Sequence, residues 1–215
     1  MAIKEHLEQV QRGRESWNLW RTTNFEKPDF TGADFTGADF TGVNLREADF
    51  TGVNLREANL SEADLYYAKL SKANLYYAKL SKANLYYAKL TEVSLTGADL
   101  RGVNLMGANL SKADLRGANL TRANLDQADL TGADLTRANL TEANLNWANL
   151  TRADLEGANL TRANFYNAKL TEAELTRADC TGTSFTGADL RGVDLDGYTK
   201  EELDTFVHGG YSHWD

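Results

Sequence analysis

ADLTGADLTRANLTEANL (residues 128–145) decides the fold, because this stretch repeats one five-residue pattern without interruption. Leu or Phe occupies every fifth position from Phe25 to Leu195, and Cys180 is the one exception. The residue two places before each of these is Ala in most repeats, and the residue between them is almost always Asp, Asn or Lys. A repeat with a period of five is therefore the organising feature of the chain.

A period of five matches neither of the two regular secondary structures. On a helix that turns about 100° per residue, the leucines would spiral around the axis instead of forming a stripe. A flat strand needs a period of two, which five breaks at every repeat. The pattern fits a short extended segment followed by a corner. Ala and Leu/Phe then point inward, the polar residue between them points outward, and the next two residues make the turn.

Four such segments predict a square coil of about 20 residues, and successive coils would stack as parallel strands about 4.8 Å apart. The 35 repeats then give a rod roughly 40 Å long. The general bias of parallel crossovers favours a right-handed coil. The predicted fold class is an all-β solenoid, a right-handed quadrilateral parallel β-helix of about eight to nine coils with short α-helical caps at both ends.

The two ends of such a stack are open sheet edges, which solenoids cover with caps. We therefore divide one structural domain into an N-terminal helical cap (1–22), the β-helix (23–197), and a C-terminal capping helix with its tail (198–215). Residues 2–12 are predicted to form an amphipathic helix that ends at Gly13. Its apolar positions are Ile3, Leu7 and Val10. The first coil is expected to be sealed by Trp17, Leu19 and Trp20.

The C-terminal segment carries a second helix signal. Thr199, with Glu202 three residues later, resembles a capping box, and Gly209 is a suitable end for the short helix that follows. This segment is predicted either to cap the core alone or to join two chains end to end as a homodimer. The candidate cap and dimer residues are Leu203, Phe206, Val207, Tyr211 and Trp214.

The run at 128–145 resembles the pentapeptide-repeat proteins, whose pattern is A(D/N)LXX. The resemblance covers about 175 of the 215 residues. WNLWR (17–21), followed by PDFTGADF (28–35), is also similar to the start of many bacterial, cyanobacterial-like members. The resemblance implies a right-handed quadrilateral β-helix with Leu/Phe and Ala in its core, in agreement with the interpretation drawn from the period.

Charge and composition exclude several classes of function. The net charge of −8 argues against general affinity for nucleic acid or an anionic membrane, since both need a basic surface. No window approaches the roughly 18 apolar residues of a membrane helix, and the first residues are too polar for a secretory signal. A single cysteine excludes an internal disulfide framework. We expect a cytoplasmic protein.

No catalytic, cofactor-binding or metal-binding residues are predicted. No phosphate loop or zinc-protease motif is present, and His208, His213 and Asp215 make weak evidence for a metal site without a fixed geometry. The many aspartates share one repeat position with asparagine, which is typical of a solvated or turn-bonding position and not of paired catalytic carboxylates. Cys180 occupies a Leu position and is expected to be buried and inert.

The constant register sorts the outward residues onto four sides of the rod. One side has few charges and carries Tyr66, Tyr67, Tyr86, Tyr87, Met106, Trp147 and Tyr166. Exposed aromatic residues with few charges favour protein contacts, whereas tyrosines stacked on one another could also stiffen the rod. Tyr76 and Tyr77 are predicted on the opposite side. Between these sides lies a belt of lysines: Lys69, Lys72, Lys79, Lys82 and Lys89.

These features lead to three hypotheses about function. The favoured one is a non-enzymatic rigid scaffold that binds an unidentified protein partner through the aromatic residues, as a monomer or an end-to-end homodimer, with no nucleic acid or membrane contact. The resemblance implies an alternative, because some family members bind DNA gyrase by imitating the charge and shape of duplex DNA. Here the lysine belt interrupts the negative charge. The third hypothesis is a structural or engineered repeat protein without a dedicated partner.

Overall fold

The computed structural model describes residues 2–195, which form two helices followed by a stack of four-sided coils. Helix α1 spans Lys4–Val10 and helix α2 spans Arg14–Thr23. From there to the end of the described part, the chain repeats one corner and one bridged residue per pentapeptide. The side chains of Leu, Phe and Ala fill the interior, where most of them have no exposed surface.

The stack is held in register by parallel bridge pairs between residues that are 20 apart in the chain. The first pair joins Asp29 with Asp49, and the last joins Glu174 with Asp194. Every fifth residue between these ends takes part, so all four sides of every coil are paired with the coil above or below. The predicted coil of 20 residues, with no insertion or slip, is confirmed.

A pentapeptide whose bridged residue is Asp or Asn pairs its backbone donors in a fixed way. The N–H of Leu65 donates to the carbonyl of Asn84 in the next coil (2.7 Å), and the N–H of Ala68 closes the corner onto the carbonyl of Leu65 (2.9 Å). The N–H of Tyr66 donates to Oδ1 of Asp64 (3.2 Å). The two remaining N–H groups, those of Asp64 and Tyr67, donate to carbonyl groups in the neighbouring coils. A buried coil with no unpaired donor avoids the cost of an orphaned backbone group.

Every corner places its second turn residue in the left-handed region. The φ angle of this residue is positive at every fifth position from Gly32 to Gly192. Glycine adopts this conformation freely, but residues as large as Tyr67 (φ 54°) and Trp147 (φ 58°) also occupy it. A non-glycine residue there is uncommon. The inter-coil hydrogen bonds on both sides of the corner therefore impose the conformation on these side chains.

The burial predicted for the fifth-position residues is confirmed along the rod but is wrong for Phe25 and Cys180. Leu115, in the middle, is fully buried, whereas Phe25 is 86% exposed. Phe25 directly follows the end of α2, and the first bridged residue is Asp29, so no coil surrounds its ring. Cys180 is partly exposed instead of buried, because it lies in the last coils of the described part, where burial decreases.

Helix α2 was not predicted, and it covers the N-terminal edge. The indole of Trp17 is fully buried, lies 5.8 Å from the ring of Phe30, and donates from Nε1 to the carbonyl of Asn44 (2.7 Å). Trp20, one turn later, stacks on Trp17 at 5.0 Å. The expected sealing role of Leu19 is wrong, because a residue two places from Trp17 faces away from the coil on a helix and is 72% exposed.

Helix α1 is shorter than the predicted 2–12, but Gly13 does separate it from α2. Ile3 precedes the helix and donates its N–H to the carbonyl of Asp29, which ties the N-terminus to the first coil. His6 is buried, with Nδ1 accepting the N–H of Asp29 at 3.0 Å. Sequence reasoning missed His6, because a single polar residue on a short helix carries no packing signal.

The predictions for the C-terminal segment lie outside the described residues. They concern the capping helix, the possible dimer contact, and the residues Leu203, Phe206, Val207, Tyr211 and Trp214. Within residues 2–195, neither helix has the length and apolar character needed to cross a bilayer.

Candidate protein-interaction face

The seven residues predicted as an interaction surface lie on one side of the rod. On this side the bridge pairs that connect Asn44 to Asn164 stack the corners that follow them, one above another. We define the aromatic face as the corner residues Tyr66, Tyr67, Tyr86, Tyr87, Met106, Trp147 and Tyr166. Tyr66, Tyr86 and Met106 are partly buried, and the other four are exposed.

Four tyrosines of this face form one stacked cluster, which we call the tyrosine ladder. The rings of Tyr66 and Tyr86 are 5.6 Å apart and tilted by 10°, and those of Tyr67 and Tyr87 are 5.3 Å apart and tilted by 30°. Within each corner the two rings meet edge to face, at 4.5 Å in the first coil and 4.3 Å in the second. The predicted stacking between coils is thus present, and it fixes the position of all four rings.

The ladder still presents aromatic surface to solvent. Tyr67 is 47% exposed and Tyr87 is 38% exposed. The guanidinium of Arg46 covers the free side of the Tyr66 ring at 4.2 Å, a cation–π contact. The hydroxyl of Tyr86 hydrogen bonds to that of Tyr87, which together with burial raises the pKa of Tyr86 above its usual value. The phenol of Tyr86 is therefore uncharged at neutral pH.

The ladder ends on a glycine in the next coil. The ring of Tyr87 leans over Gly107, so that a methyl group on that glycine would overlap the ring. Tyr77, on the opposite side, covers Gly97 in the same way. The sequence contains this signal, since each of these tyrosines is followed 20 residues later by glycine, but its meaning depends on the ring orientation.

Trp147 and Tyr166 form a second aromatic cluster on the same face. Their ring centroids are 5.9 Å apart in an edge-to-face arrangement, and Trp147 is 57% exposed. In the coil before that of Trp147, the corner residues are Asp126 and Gln127, and they separate this cluster from the tyrosine ladder. The face that the sequence presented as continuous therefore holds two aromatic clusters, with Met106 on a coil between them.

A cleft lies beside the ladder, at the edge of the aromatic face. It has a volume of about 410 Å³ and is lined by Lys27, Glu47, Tyr66, Tyr67, Lys69 and Lys89. Tyr67 and Lys69 flank Ala68, whose side chain is buried in the core. The side chains of Tyr67 and Lys69 both line the cleft. Lys69 pairs with Asp49 (2.8 Å) and Lys27 pairs with Glu47 (2.8 Å). We call this feature the lysine cleft.

The opposite side of the rod repeats the Tyr–Lys phrase without building a ladder. Tyr76 and Tyr77 meet edge to face at 4.3 Å, and Arg56 lies 5.2 Å from the ring of Tyr76. In the coil that follows, the corresponding residues are Thr96 and Gly97, so the pair has no tyrosine to stack on. Lys79 is the bridged lysine after this pair, as Lys89 is after Tyr87.

The shared Asp/Asn position is a turn-capping position, as predicted. Oδ1 of Asp34 accepts the N–H and the hydroxyl of Thr36, at 2.9 and 2.6 Å. Oδ1 of Asn59 accepts the same two groups from Ser61. The hydroxyl and the backbone N–H of Thr36 lower the pKa of Asp34. Since asparagine caps the corner equally well, these carboxylates serve the fold.

The side opposite the aromatic face, which also carries Tyr76 and Tyr77, has acidic residues one above another in its C-terminal half. Arg116 pairs with Asp114 at 2.6 Å and lies 3.5 Å from Asp134, so its single positive charge is shared between these two carboxylates. Burial, followed by the charges of Asp154 and other nearby acids, raises the pKa of Glu174. We call this feature the acidic column, and its bridge-paired members are Asp114, Asp134, Asp154, Glu174 and Asp194.

Taken together, the fold and the two aromatic clusters define a solenoid scaffold that displays side chains on a rigid surface. Among residues 2–195, no three His, Cys, Asp or Glu side chains are grouped so as to hold a metal ion. The family model for pentapeptide repeats (8 copies) matches residues 21–56, 58–97, 83–122, 118–157, 138–177 and 158–197. The chain belongs to the pentapeptide-repeat family, and its fold is the predicted right-handed quadrilateral β-helix.

Several solved structures are similar to this chain. HetL, a pentapeptide repeat protein involved in heterocyst differentiation regulation from the cyanobacterium Nostoc sp. strain PCC 7120, is 35% identical, with 92% of this chain and 99% of that chain covered and a TM-score of 0.47. QnrB1, a plasmid-mediated fluoroquinolone resistance protein, is 21% identical, with 84% and 95% covered and a TM-score of 0.47.

A third similar structure is a pentapeptide repeat protein from the Arabidopsis thaliana thylakoid lumen. It is 35% identical, with 48% of this chain and 69% of that chain covered and a TM-score of 0.35. Among curated protein sequences, no significant match was found.

Proposed function

We propose that this protein is a non-enzymatic scaffold that binds a protein partner through its aromatic face, with the tyrosine ladder at the centre of the contact. The observation that carries the proposal is the ladder itself, four rings fixed by stacking with Tyr67 and Tyr87 still 47% and 38% exposed. Rigid aromatic side chains lose little conformational entropy on binding. They are also the residues that most often dominate the energy of an interface.

The rest of the aromatic face supports the same proposal. Trp147 and Tyr166 give a second contact point on the same side of the rod. A partner that spans both clusters would cross about four coils, or roughly 20 Å along the axis. HetL, which is involved in heterocyst differentiation regulation, is a family member with a regulatory role, and a scaffold that binds a protein partner suits such a role.

The chain provides its own control for a test of this proposal. The tagged protein is used as bait in an extract of its source organism, beside a ladder variant in which Tyr66, Tyr67, Tyr86 and Tyr87 are replaced by Thr. The control variant is Tyr76→Thr with Tyr77→Thr, which removes a tyrosine pair from the opposite side, where Tyr77 is 54% exposed. Captured proteins are quantified by mass spectrometry after each variant's melting temperature has been measured.

We expect one or a few proteins to be captured by the wild-type chain and by the Tyr76/Tyr77 control, and to be lost with the ladder variant while it stays folded. The proposal is wrong if the ladder variant melts earlier but captures the same proteins. The ladder would then serve stability alone.

A second candidate function is that of a DNA-mimicking regulator of a type II topoisomerase. The acidic column favours it, because its members follow one another along five coils and the column continues toward the C-terminal end of the described chain. The lysine belt and Arg116 reduce that charge nearby. A supercoiling assay with purified gyrase is the test. Inhibition or protection that disappears when Asp134 and Asp154 are replaced by Asn would support it, and no effect on supercoiling would remove it.

A further inference from the structure

We infer that the lysine cleft binds an acidic segment of a partner protein, one that also carries an aromatic or apolar side chain to lie against Tyr67. This inference rests on the proposed function and names the chemistry of the partner. The cleft is defined by two tyrosines on one wall and three lysines around it, against a single glutamate. Its volume of about 410 Å³ suits a few side chains of an extended peptide.

The charges around the cleft are not balanced within the described chain. Lys27 and Lys69 each have a carboxylate partner, Glu47 and Asp49 respectively, at 2.8 Å. Within residues 2–195, Lys89 has no carboxylate within ion-pair distance. A lysine with no counter-ion beside an aromatic wall provides a binding point for an incoming carboxylate.

The two bridged lysines also repel each other. Lys69 and Lys89 are direct bridge partners in adjacent coils, and like charges opposite each other in a sheet are destabilising. Asp49 lies below Lys69 and offsets that charge from one side. A partner carboxylate between the two ammonium groups would relieve the remaining repulsion, so binding and relief of repulsion would occur together.

The lysines also occupy a position where the fold prefers another residue. At most coils this position holds Asp or Asn, whose Oδ1 accepts the N–H of the residue two places later, as Asp49 does for Thr51 (3.0 Å). Lysine has no acceptor atom, so Ser71 and Thr91 lose this capping bond after Lys69 and Lys89. Departures from a fold's local rules concentrate at functional sites, which favours a role for these charges outside the fold.

The tyrosine wall adds a requirement for an apolar group on the partner. The half-exposed Tyr67 is fixed by Tyr66 and Tyr87 and cannot turn away from the cleft without losing both ring contacts. An acidic segment without an aromatic or apolar side chain would leave this surface in water. The combination of a desolvated aromatic contact and a charged rim is typical of specific interfaces.

The test selects peptides from a random phage-displayed library against the full-length protein, and then measures binding of the selected peptides by fluorescence polarisation. Lys89→Glu is the site variant, because Lys89 is exposed and has no ion pair to lose. Lys79→Glu is the matched control, a bridged lysine after the tyrosine pair on the opposite side. Tyr67→Thr and Tyr77→Thr form a second matched pair.

We expect the selected peptides to combine Glu or Asp with an aromatic or large apolar residue. Their affinity should fall about tenfold or more with Lys89→Glu and with Tyr67→Thr, should not change with Lys79→Glu or Tyr77→Thr, and should weaken as salt is raised. Peptides without an acidic bias that still depend on Tyr67 would overturn the acidic-segment inference and leave the proposed function standing. If no selected peptide depends on Tyr67 or Lys89, the inference fails. The proposed function is then judged separately, by the extract experiment with the ladder variant.

Discussion

A single corner residue of this rod is constrained by its φ angle and by the side chain that reaches it from the previous coil. Gly107 and Gly132 have nearly the same φ, 65° and 63°. A Cβ atom added to Gly132 would lie at ordinary contact distance from the Cγ of Lys112. A Cβ atom added to Gly107 would overlap the ring of Tyr87. The two glycines are equivalent in the sequence pattern and different in the structure.

Gly107→Ala is therefore expected to destabilise the protein more than Gly132→Ala. Alanine in the left-handed region costs about 1–2 kcal/mol at either site, and displacing the Tyr87 ring adds about 1–3 kcal/mol at Gly107 alone. The free energy of unfolding from urea titrations measures both. Adding Tyr87→Thr should rescue most of the extra loss at Gly107, since the two residues are in contact. Equal losses of unfolding free energy for the two glycine variants would show that the Tyr87 ring does not lie over Gly107.

For individual residues, the sequence predicted the side of the rod on which each one lies, because a period of five with no insertions determines the register. It could not predict which residues are buried near the ends of the repeat. Phe25 and Cys180 fit the repeat but lie where coils do not surround them fully. The split of the aromatic face into two clusters was visible in the sequence at Asp126 and Gln127, but only ring contacts show where stacking stops.

The repeating structural element of this fold is one pentapeptide with its capped corner. The stability of the capped corner depends on pH where the capping residue is an aspartate. The hydroxyl and the backbone N–H of the following threonine lower the pKa of Asp34, Asp39 and Asp179. The guanidinium of Arg191 holds the pKa of Asp189 at about 2. A lowered pKa in the folded state gives stability that is present above the unfolded value of about 3.9 and is lost as the pH falls below it.

We expect the protein to keep its stability from neutral pH to about pH 4 and to lose it progressively toward pH 2. A variant with Asp34, Asp39 and Asp179 replaced by Asn should match the wild type at pH 7, because asparagine caps the same N–H groups. It should lose less stability at pH 2, because it has three fewer carboxylates to protonate. Chemical unfolding across this pH range is the measurement. An unchanged acid loss in the variant would contradict the capping role.

The N-terminal cap shows why some elements escape a sequence-based prediction. The repeat signal begins after the cap, and α2 is recognised mainly by the spacing of Trp17 and Trp20, whose contact with Phe30 is long-range. Ile3, Leu7 and Val10 predicted a helix correctly but gave its ends poorly, since helix ends depend on capping partners. The N-terminus is instead held by backbone bonds from Ala2 and Ile3 to the first coil.

The whole molecule is a one-dimensional stack in which each coil contacts only its neighbours, so its stability is close to a sum of nearest-neighbour terms. The N-terminal edge is protected by Trp17, which is fully buried against the first coil. Loss of that contact should therefore be felt most strongly by the coils nearest to it.

Trp17→Ala should cost about 3–5 kcal/mol of local stability and open the first two coils before the rest of the rod. Hydrogen exchange read by mass spectrometry should rise sharply for residues 30–50 and little for residues 120–150. Leu19→Ala, on the exposed side of the same helix, is the control and should change neither region. A uniform rise in hydrogen exchange along the rod would show that the stack unfolds as one unit, which would contradict the nearest-neighbour description.

The central claim is that the function of this rod resides on one of its four sides, and the tyrosines test it within one molecule. Oxidative footprinting is carried out on the wild-type protein with and without the partner captured from the source extract. We predict that oxidation of Tyr67 and Tyr87 falls severalfold when the partner is bound, while that of Tyr77, on the opposite side, is unchanged. Protection of Tyr77 with no change at Tyr67 and Tyr87 would contradict the account.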